Sequence, residues 1–215
     1  MNGAALVALM DRTLELLAER IDELRDLDAA VGDGDLGITV GKGCEAVRAR
    51  LQALEDPTPV RVVKAAGVAA ANANPSTMAA LVGGGLLAGG KALGDADSLE
   101  RAEVLLLAHA IADSIGTRGK SAVGDKTILD AMVPSIDALE ASPAGSAVAA
   151  VLGGMIDAAR DGVEATTGLQ NQRGRAAWLG ERSAGHPDPG ATAYLRFLEA
   201  LATAWTARDN LPTGA

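Results

Sequence analysis

Apolar residues recur along this chain at alternating spacings of four and three, which places them on one face of an α-helix. The first such run predicts a helix from Gly3 to Leu27. Its apolar stripe consists of Met10, Leu14, Leu17, Ile21 and Leu24. No run alternates apolar and polar residues in the way that is typical of a half-buried β-strand. The chain is therefore predicted to be all α-helical.

The composition also favours packed helices over a sheet. Hydrophobic residues make up 48% of the 215 residues, but aromatic residues only 2%. The core must therefore consist mainly of Ala, Leu, Val and Ile, which suits closely packed helices better than the faces of a sheet. A chain of this length can bury a substantial core, and we expect a single domain over residues 1–215.

Eight helices joined mostly by short turns are predicted, which implies antiparallel neighbours in an up-and-down bundle or barrel. After the first helix they cover approximately residues 37–54, 60–73, 75–93, 99–118, 126–139, 146–161 and 191–209. If the chain alternates up and down, loops one, three, five and seven fall at the same end. These loops carry all the polar motifs described below, so the functional site is predicted at that end.

The stretch from Leu27 to Gly37 contains three aspartates and three glycines between two predicted helices. Asp28, Asp33 and Asp35 cannot all stay ionised at close range without a cation between them, because like charges raise each other's pKa. Oxygen ligands suit Mg²⁺, which often takes its remaining ligands from substrate phosphates. The glycines and the following helix N-terminus bring backbone N–H groups to an anion. The stretch therefore predicts a site for Mg²⁺ and a polyphosphate.

The glycine-rich stretches also resemble other kinds of loop. Asp-Gly sequences also occur in ordinary surface turns. An EF-hand calcium loop is excluded, because counting from Asp33 puts Cys44 where the bidentate Glu is required. The run from Gly85 to Lys91 has the spacing of a P-loop, but Ala92 replaces the Mg²⁺-binding Ser or Thr and no strand precedes it.

Two further segments are candidates for ligand binding. Asn74 is predicted to cap the fourth helix with Pro75 at its first position, leaving the backbone amides of Ser76 and Thr77 free. Residues 162–190 are too long and too polar for a simple connector, and we expect a lid over the site.

Charge and cysteine content limit the function classes. A net charge of −9 provides no basic face for nucleic acid or an anionic membrane. The single cysteine, Cys44, excludes an intramolecular disulfide and is expected to be packed in the core. We find no signal peptide and no polar-free run long enough to cross a membrane, so a cytoplasmic protein is expected.

Three motifs resemble the nucleotide-binding L subunit of dihydroxyacetone kinase. They are Asp28 with Gly32–Gly37, then Gly124–Asp130, and finally Gly174–Gly190. The resemblance covers the chain from end to end. It implies an eight-helix antiparallel barrel that holds ADP or ATP through two Mg²⁺ ions, with Asp28, Asp33 and Asp35 as the metal ligands and catalytic residues.

The same resemblance implies nucleotide contacts and partners. The expected contacts are Leu36, Gly37, Ile38, Thr39, Asn74, Pro75, Ser76, Thr77, Gly119, Ile128, Arg175, Asp188, Pro189 and Gly190. The implied partner is a K subunit that carries the ketone substrate on a histidine, with a phosphotransferase-system protein as a further possible phosphoryl donor, and the chain is expected to form a homodimer. Leu36 stands where the family usually has histidine, Thr39 where it has asparagine, and Asn74-Pro75-Ser76-Thr77 where it has a Ser-Gly-Pro type of turn.

The predicted function is phosphoryl transfer to a hydroxyl of dihydroxyacetone or another short ketose presented by the partner. The donor is either free ATP or a retained ADP that a phosphotransferase-system protein rephosphorylates. Three alternatives stay open: a non-catalytic nucleotide-binding regulator, a kinase for a different ketose or polyol, and a helical scaffold with an incidental acidic loop.

Overall fold

A computed structural model describes residues 1–173 and 183–209. Within these ranges the chain forms α1 (Gly3–Ala18), α2 (Ile21–Val31), α3 (Leu36–Gln52), α4 (Pro59–Ala73), α5 (Thr77–Ala92), α6 (Arg101–Gly119), α7 (Leu129–Ala141), α8 (Val148–Thr166) and α9 (Pro189–Asp209). The described residues contain no β-strand, and the all-α prediction is confirmed. None of the helices in these ranges is long and apolar enough to cross a membrane.

The predicted first helix is in fact two helices, so the described part of the chain has nine instead of eight. The backbone N–H groups of Glu19 and Arg20 donate to carbonyls only three residues back, at 3.2 and 3.0 Å, which closes a tight turn between α1 and α2. The apolar stripe continues through this turn with unchanged spacing. Periodicity alone could not reveal the break.

The second helix also extends further than predicted. Leu24 and Val31, two turns apart on α2, are both fully buried, and their packing keeps the chain helical beyond Leu27. As a result, Asp28 lies on the last turns of α2, and only Asp33 and Asp35 belong to the turn before α3.

The start of α5 was predicted wrongly. Asn74 has extended backbone angles, as expected for a residue before proline, and it ends α4 instead of capping α5. Ser76 is the residue that precedes α5. The Asn74 side chain donates from Nδ2 to Oγ1 of Thr39 at 2.9 Å, which ties the α4–α5 connection to α3.

Small residues set the spacing of the central helices. At Gly83 on α5, a Cβ atom would come within 2.7 Å of the backbone nitrogen of Ala71 and the carbonyl oxygen of Gly67 on α4. The two helices therefore pack backbone against backbone at this point.

Cys44 is buried in the core as predicted, and burial raises the pKa of its thiol to about 11.

A still closer contact joins α7 and α8. Pro134 lies inside α7 and has no N–H to offer the carbonyl of Asp130, one turn earlier. Gly162 of α8 packs directly on that carbonyl, where any Cβ atom would collide with the oxygen. The absence of a side chain at residue 162 lets the two helices approach.

We expect Gly162→Ala to lower the free energy of unfolding by at least about 2 kcal/mol, because the new methyl group forces α8 away from α7. Gly154→Ala is the matched control, since residue 154 lies on the same helix with nothing within 4 Å of its Cβ position. That variant should gain up to about 1 kcal/mol from helix propensity. Urea denaturation of both measures the difference, and equal stabilities would contradict the close contact.

Candidate functional site

The α2–α3, α4–α5, α6–α7 and α8–α9 connections meet at one end of the helices around a cleft of about 480 Å³. These are the four loops predicted to share an end. The cleft is lined by eleven of the residues expected in the site: Asp28, Asp33, Asp35, Leu36, Ser76, Thr77, Gly119, Ile128, Asp188, Pro189 and Gly190.

The three aspartates of the cleft are close enough to share a cation. Each can offer a carboxylate oxygen, and these oxygens all lie within 4.8 Å of one another. Two oxygens bound at about 2.1 Å to one Mg²⁺ ion are at most about 4.2 Å apart, so rearrangements of less than about 1 Å would complete a metal site. The oxygen-only donor set fits a hard cation such as Mg²⁺.

Backbone geometry orients this cluster. Oδ2 of Asp28 accepts a hydrogen bond from the backbone N–H of Leu36 at 3.1 Å, which links the end of α2 to the first turn of α3. A Cβ atom at Gly32 would lie 2.7 Å from Oδ1 of Asp28, so glycine leaves that oxygen accessible. Gly34 has a φ of +74°, a conformation that favours glycine.

Four helices begin at the cleft. They are α3, α5, α7 and α9, whose first residues are Leu36, Thr77, Leu129 and Pro189. Each helix N-terminus carries a partial positive charge, because its first backbone N–H groups have no carbonyl partner within the helix. At α3 and α9 the carboxylates of Asp28 and Asp188 already accept one of these N–H groups each. A cleft that combines these N-termini with three carboxylates is suited to an anion bound together with a cation, as in a metal-bound polyphosphate.

Another part of the cleft wall is apolar. Its side chains are Met78, Leu81, Ile115 and Ile128, which belong to one cluster of the hydrophobic core. The cleft therefore offers an apolar surface as well as a charged one, and this combination is typical of binding sites for small molecules.

Lys126 is a buried cation that joins the α6–α7 and α8–α9 connections. It is 1% exposed, and its ammonium group donates to the backbone carbonyls of Leu169, Ser183 and His186 at 2.9, 2.6 and 2.7 Å. All three ammonium protons thus have a carbonyl acceptor. One acceptor precedes residues 174–182 in the chain, and the other two follow them. Burial lowers the pKa of Lys126, and the nearby carboxylate of Asp188 opposes that shift.

Asp188 caps α9 from inside the cleft wall. Its Oδ2 accepts the backbone N–H of Ala191 at 2.7 Å, and its Oδ1 accepts Nδ2 of Asn171 at 3.3 Å. The side chain is almost fully buried, and this burial raises the pKa of Asp188 to about 6. The pKa of Asp188 is lowered by the hydrogen bonds from Ala191 and Asn171 and by the charge of Lys126. It is raised further by the negative charge of Asp130.

The raised pKa predicts a pH-dependent contribution of Asp188 to stability. Because the pKa is higher in the folded chain than the ordinary 3.8, the contribution is greatest below about pH 4 and is lost as the pH rises through about 6. The stability of the unmodified chain relative to Asp188→Asn should therefore fall over this interval, by at most about 3 kcal/mol. Chemical denaturation of both chains from pH 4 to 8, without metal, measures this. A constant difference would contradict the burial of an ionised carboxylate.

Some residues expected in the site lie elsewhere. Gly37, Ile38, Thr39, Asn74 and Pro75 do not line the cleft. Ile38 is exposed, Thr39 is buried and bonded to Asn74, and Gly37 packs against the backbone of α2. Arg175 lies outside the described residues, as does Arg182 of the expected lid.

Several lining residues were not expected from the sequence. They are Val31, Gly32, Met78, Leu81, Ile115, Ser121, Lys126, Thr127, Asn171 and Arg173. Membership of the motifs that carry the family resemblance could have identified three of them, namely Gly32, Lys126 and Thr127. The apolar residues matched the core stripe of their helices, and nothing in the local sequence marks Asn171 or Arg173.

Comparison with known proteins shows the family of this chain. The DAK2 domain model matches residues 30–203. The chain is 30% identical over 205 residues to the PEP-dependent dihydroxyacetone kinase ADP-binding subunit DhaL of Escherichia coli. The aligned region covers 95% of this chain and 98% of the E. coli subunit. It is 34% identical over 204 residues to L-erythrulose 1-kinase of Mycolicibacterium smegmatis, covering 91% of this chain and 34% of the kinase.

A solved structure has the same fold. The dihydroxyacetone kinase from C. freundii in complex with AMP-PNP and Mg²⁺ matches with a TM-score of 0.72 and 25% identity, over 93% of this chain. This chain spans about a third of the C. freundii and M. smegmatis kinases, but nearly the whole of the E. coli subunit. The chain therefore belongs to the DAK2-domain family and is of the DhaL type.

Proposed function

We propose that this chain is the nucleotide-binding, phosphoryl-transfer subunit of a kinase for dihydroxyacetone or a similarly short ketose. The observation that carries the proposal is the cleft in which three aspartate oxygens lie within 4.8 Å of one another beside four helix N-termini. The names of the relatives, which include an ADP-binding subunit and an erythrulose kinase, support the same assignment.

In this proposal Asp28, Asp33 and Asp35 hold Mg²⁺ together with ADP or ATP, and two ions are expected. Bound Mg²⁺ supplies neutralisation of the phosphate charge that builds up during transfer. The N–H groups at the start of α5 orient the phosphates, and Met78, Leu81 and Ile128 exclude water around the base.

The acceptor hydroxyl comes from a partner K subunit. Neither histidine lines the cleft, where it could carry a ketone. His109 lies on the exposed face of α6 beside Glu140, and His186 is exposed, with only its backbone carbonyl accepting from Lys126. Two donor arrangements stay open, free ATP or a retained ADP rephosphorylated by a phosphotransferase-system protein. The homodimer and the cytoplasmic location stay predictions.

A reconstituted assay tests the proposal. The chain is incubated with Mg-ATP and either dihydroxyacetone or erythrulose, with and without a K subunit from a related kinase, and phosphorylated ketose is measured. A second arm replaces ATP by ADP and a phosphorylated phosphotransferase-system protein. We expect product only when both subunits are present. Substantial turnover by the single chain would contradict the division of labour, and no product in either arm, despite nucleotide binding, would favour a regulatory subunit.

A further inference from the structure

The carboxamide of Asn171 has a fixed orientation in the cleft wall. Its Nδ2 donates to the backbone carbonyl of Lys126 at 3.1 Å and to Oδ1 of Asp188 at 3.3 Å. Both partners are acceptors, so the reversed orientation would place the amide oxygen against two other oxygens. The nitrogen must therefore face Lys126 and Asp188.

This orientation leaves the amide oxygen without a donor. Over residues 1–173 and 183–209, Oδ1 of Asn171 is the buried side-chain atom that has no hydrogen-bond partner. The residue is 7% exposed and lines the cleft. Buried polar atoms are nearly always hydrogen-bonded, so an unpaired acceptor in a cleft wall indicates that a ligand supplies the donor.

The neighbours of Asn171 connect it, through Asp188 and Gly190, to the apolar part of the wall. Its partner Asp188 lies beside Gly190, where a Cβ atom would come within 3.1 Å of Oδ2 of Asp188 and 2.7 Å of the terminal methyl of Met78. Met78 belongs to the apolar surface, whereas the three aspartates lie at the α2–α3 turn. A nucleotide with its phosphates at the aspartates would direct its base to the apolar surface.

We propose that Asn171 selects the base of the bound nucleotide, with its Oδ1 accepting a hydrogen bond from the exocyclic amino group of adenine. This inference rests on the proposed nucleotide site. Because the cleft wall encloses Oδ1 of Asn171, the amino group of adenine reaches this oxygen by inserting into the wall and not from the solvent side. Hypoxanthine and guanine carry an oxygen at the same ring position, which would face Oδ1 as acceptor against acceptor, and they are disfavoured.

Binding of nucleotides that differ only in the base tests the role of Asn171 without any measurement of turnover. The probes are the Mg²⁺ complexes of ATP, of purine riboside 5′-triphosphate, which is ATP without the amino group, and of inosine triphosphate. Dissociation constants are measured by calorimetry for the unmodified chain, Asn171→Leu and Asn171→Ala. Gln172→Leu is the matched control, because it removes an exposed amide from the adjacent position of the same segment.

We expect the unmodified chain and Gln172→Leu to bind ATP about tenfold more tightly than either analogue, as one hydrogen bond warrants. In Asn171→Leu and Asn171→Ala the ratio should fall to nearly one. The ratio compares ligands within one variant, so a general loss of stability does not alter it. If neither variant folds, the unmodified chain decides, and equal affinities for the three nucleotides would overturn the inference.

The outcomes also separate this inference from the proposed function. Binding of all three nucleotides without discrimination, or an unchanged ratio in both variants at residue 171, overturns the role of Asn171 and leaves the nucleotide site intact. Failure of the unmodified chain to bind any of them overturns the nucleotide site and the role of Asn171 with it.

Discussion

Asp33→Asn and Asp35→Asn should each weaken binding of Mg-ADP at least about 100-fold, which corresponds to about 2.7 kcal/mol. Each substitution removes one of the three carboxylates proposed to bind the metal, and a neutral amide is a poorer ligand for a hard cation. The metal-free fold should be unchanged or more stable, because one of three neighbouring like charges is gone.

Asp97→Asn is the control for this pair. Residue 97 is an exposed aspartate in the α5–α6 connection, at the opposite end of the helices from the cleft, and the substitution changes the charge by the same amount. Its affinity for Mg-ADP should equal that of the unmodified chain. Calorimetric titration measures all three variants, and unaltered affinity in both cleft variants would exclude the aspartates as metal ligands.

Lys126→Met should lower the free energy of unfolding by roughly 3 to 5 kcal/mol. The substitution leaves the carbonyls of Leu169, Ser183 and His186 without the ammonium that they now accept, and each unpaired buried acceptor costs about 1 to 3 kcal/mol. Nucleotide affinity should fall as well, because Lys126 holds together two connections that line the cleft.

Lys120→Met is the matched control, because it replaces the same residue type in the same backbone conformation. Both lysines have left-handed backbone angles, with φ of 51° at Lys120 and 60° at Lys126, so any backbone effect of methionine is the same at the two positions. Lys120 is exposed, and its replacement should alter stability by less than about 0.5 kcal/mol. Equal denaturation midpoints for the two variants would show that the three carbonyl contacts do not stabilise the fold.

Local sequence patterns predicted the architecture well. Apolar spacing identified the helices, and the alternation of short turns predicted which four connections would meet at the cleft. The three aspartates of the α2–α3 region were singled out because neighbouring carboxylates favour a counter-charge, and their oxygens do lie within 4.8 Å of one another. Their role as metal ligands stays a prediction. These inferences depend on residues that are close together in the sequence.

The missed features depend on contacts between distant segments. Lys126 was assigned to the start of a helix, but its partners lie 43 to 60 residues further along the chain. Asn171 shows the same limit, because its role depends on the carbonyl of Lys126 and the carboxylate of Asp188. The turn at Glu19 and Arg20 was missed for another reason, since the apolar stripe is unbroken there.

Thermal denaturation tests most directly whether metal and nucleotide bind together in the aspartate cleft, as we propose. The chelator-treated chain is heated alone, with Mg²⁺, with ADP, and with both. At ligand concentrations about 100 times the Kd, we expect the two together to raise the Tm by roughly 5 to 10 °C, with little effect of either alone. A Tm that is unchanged by both together, or raised equally by ADP without Mg²⁺, would contradict the claim.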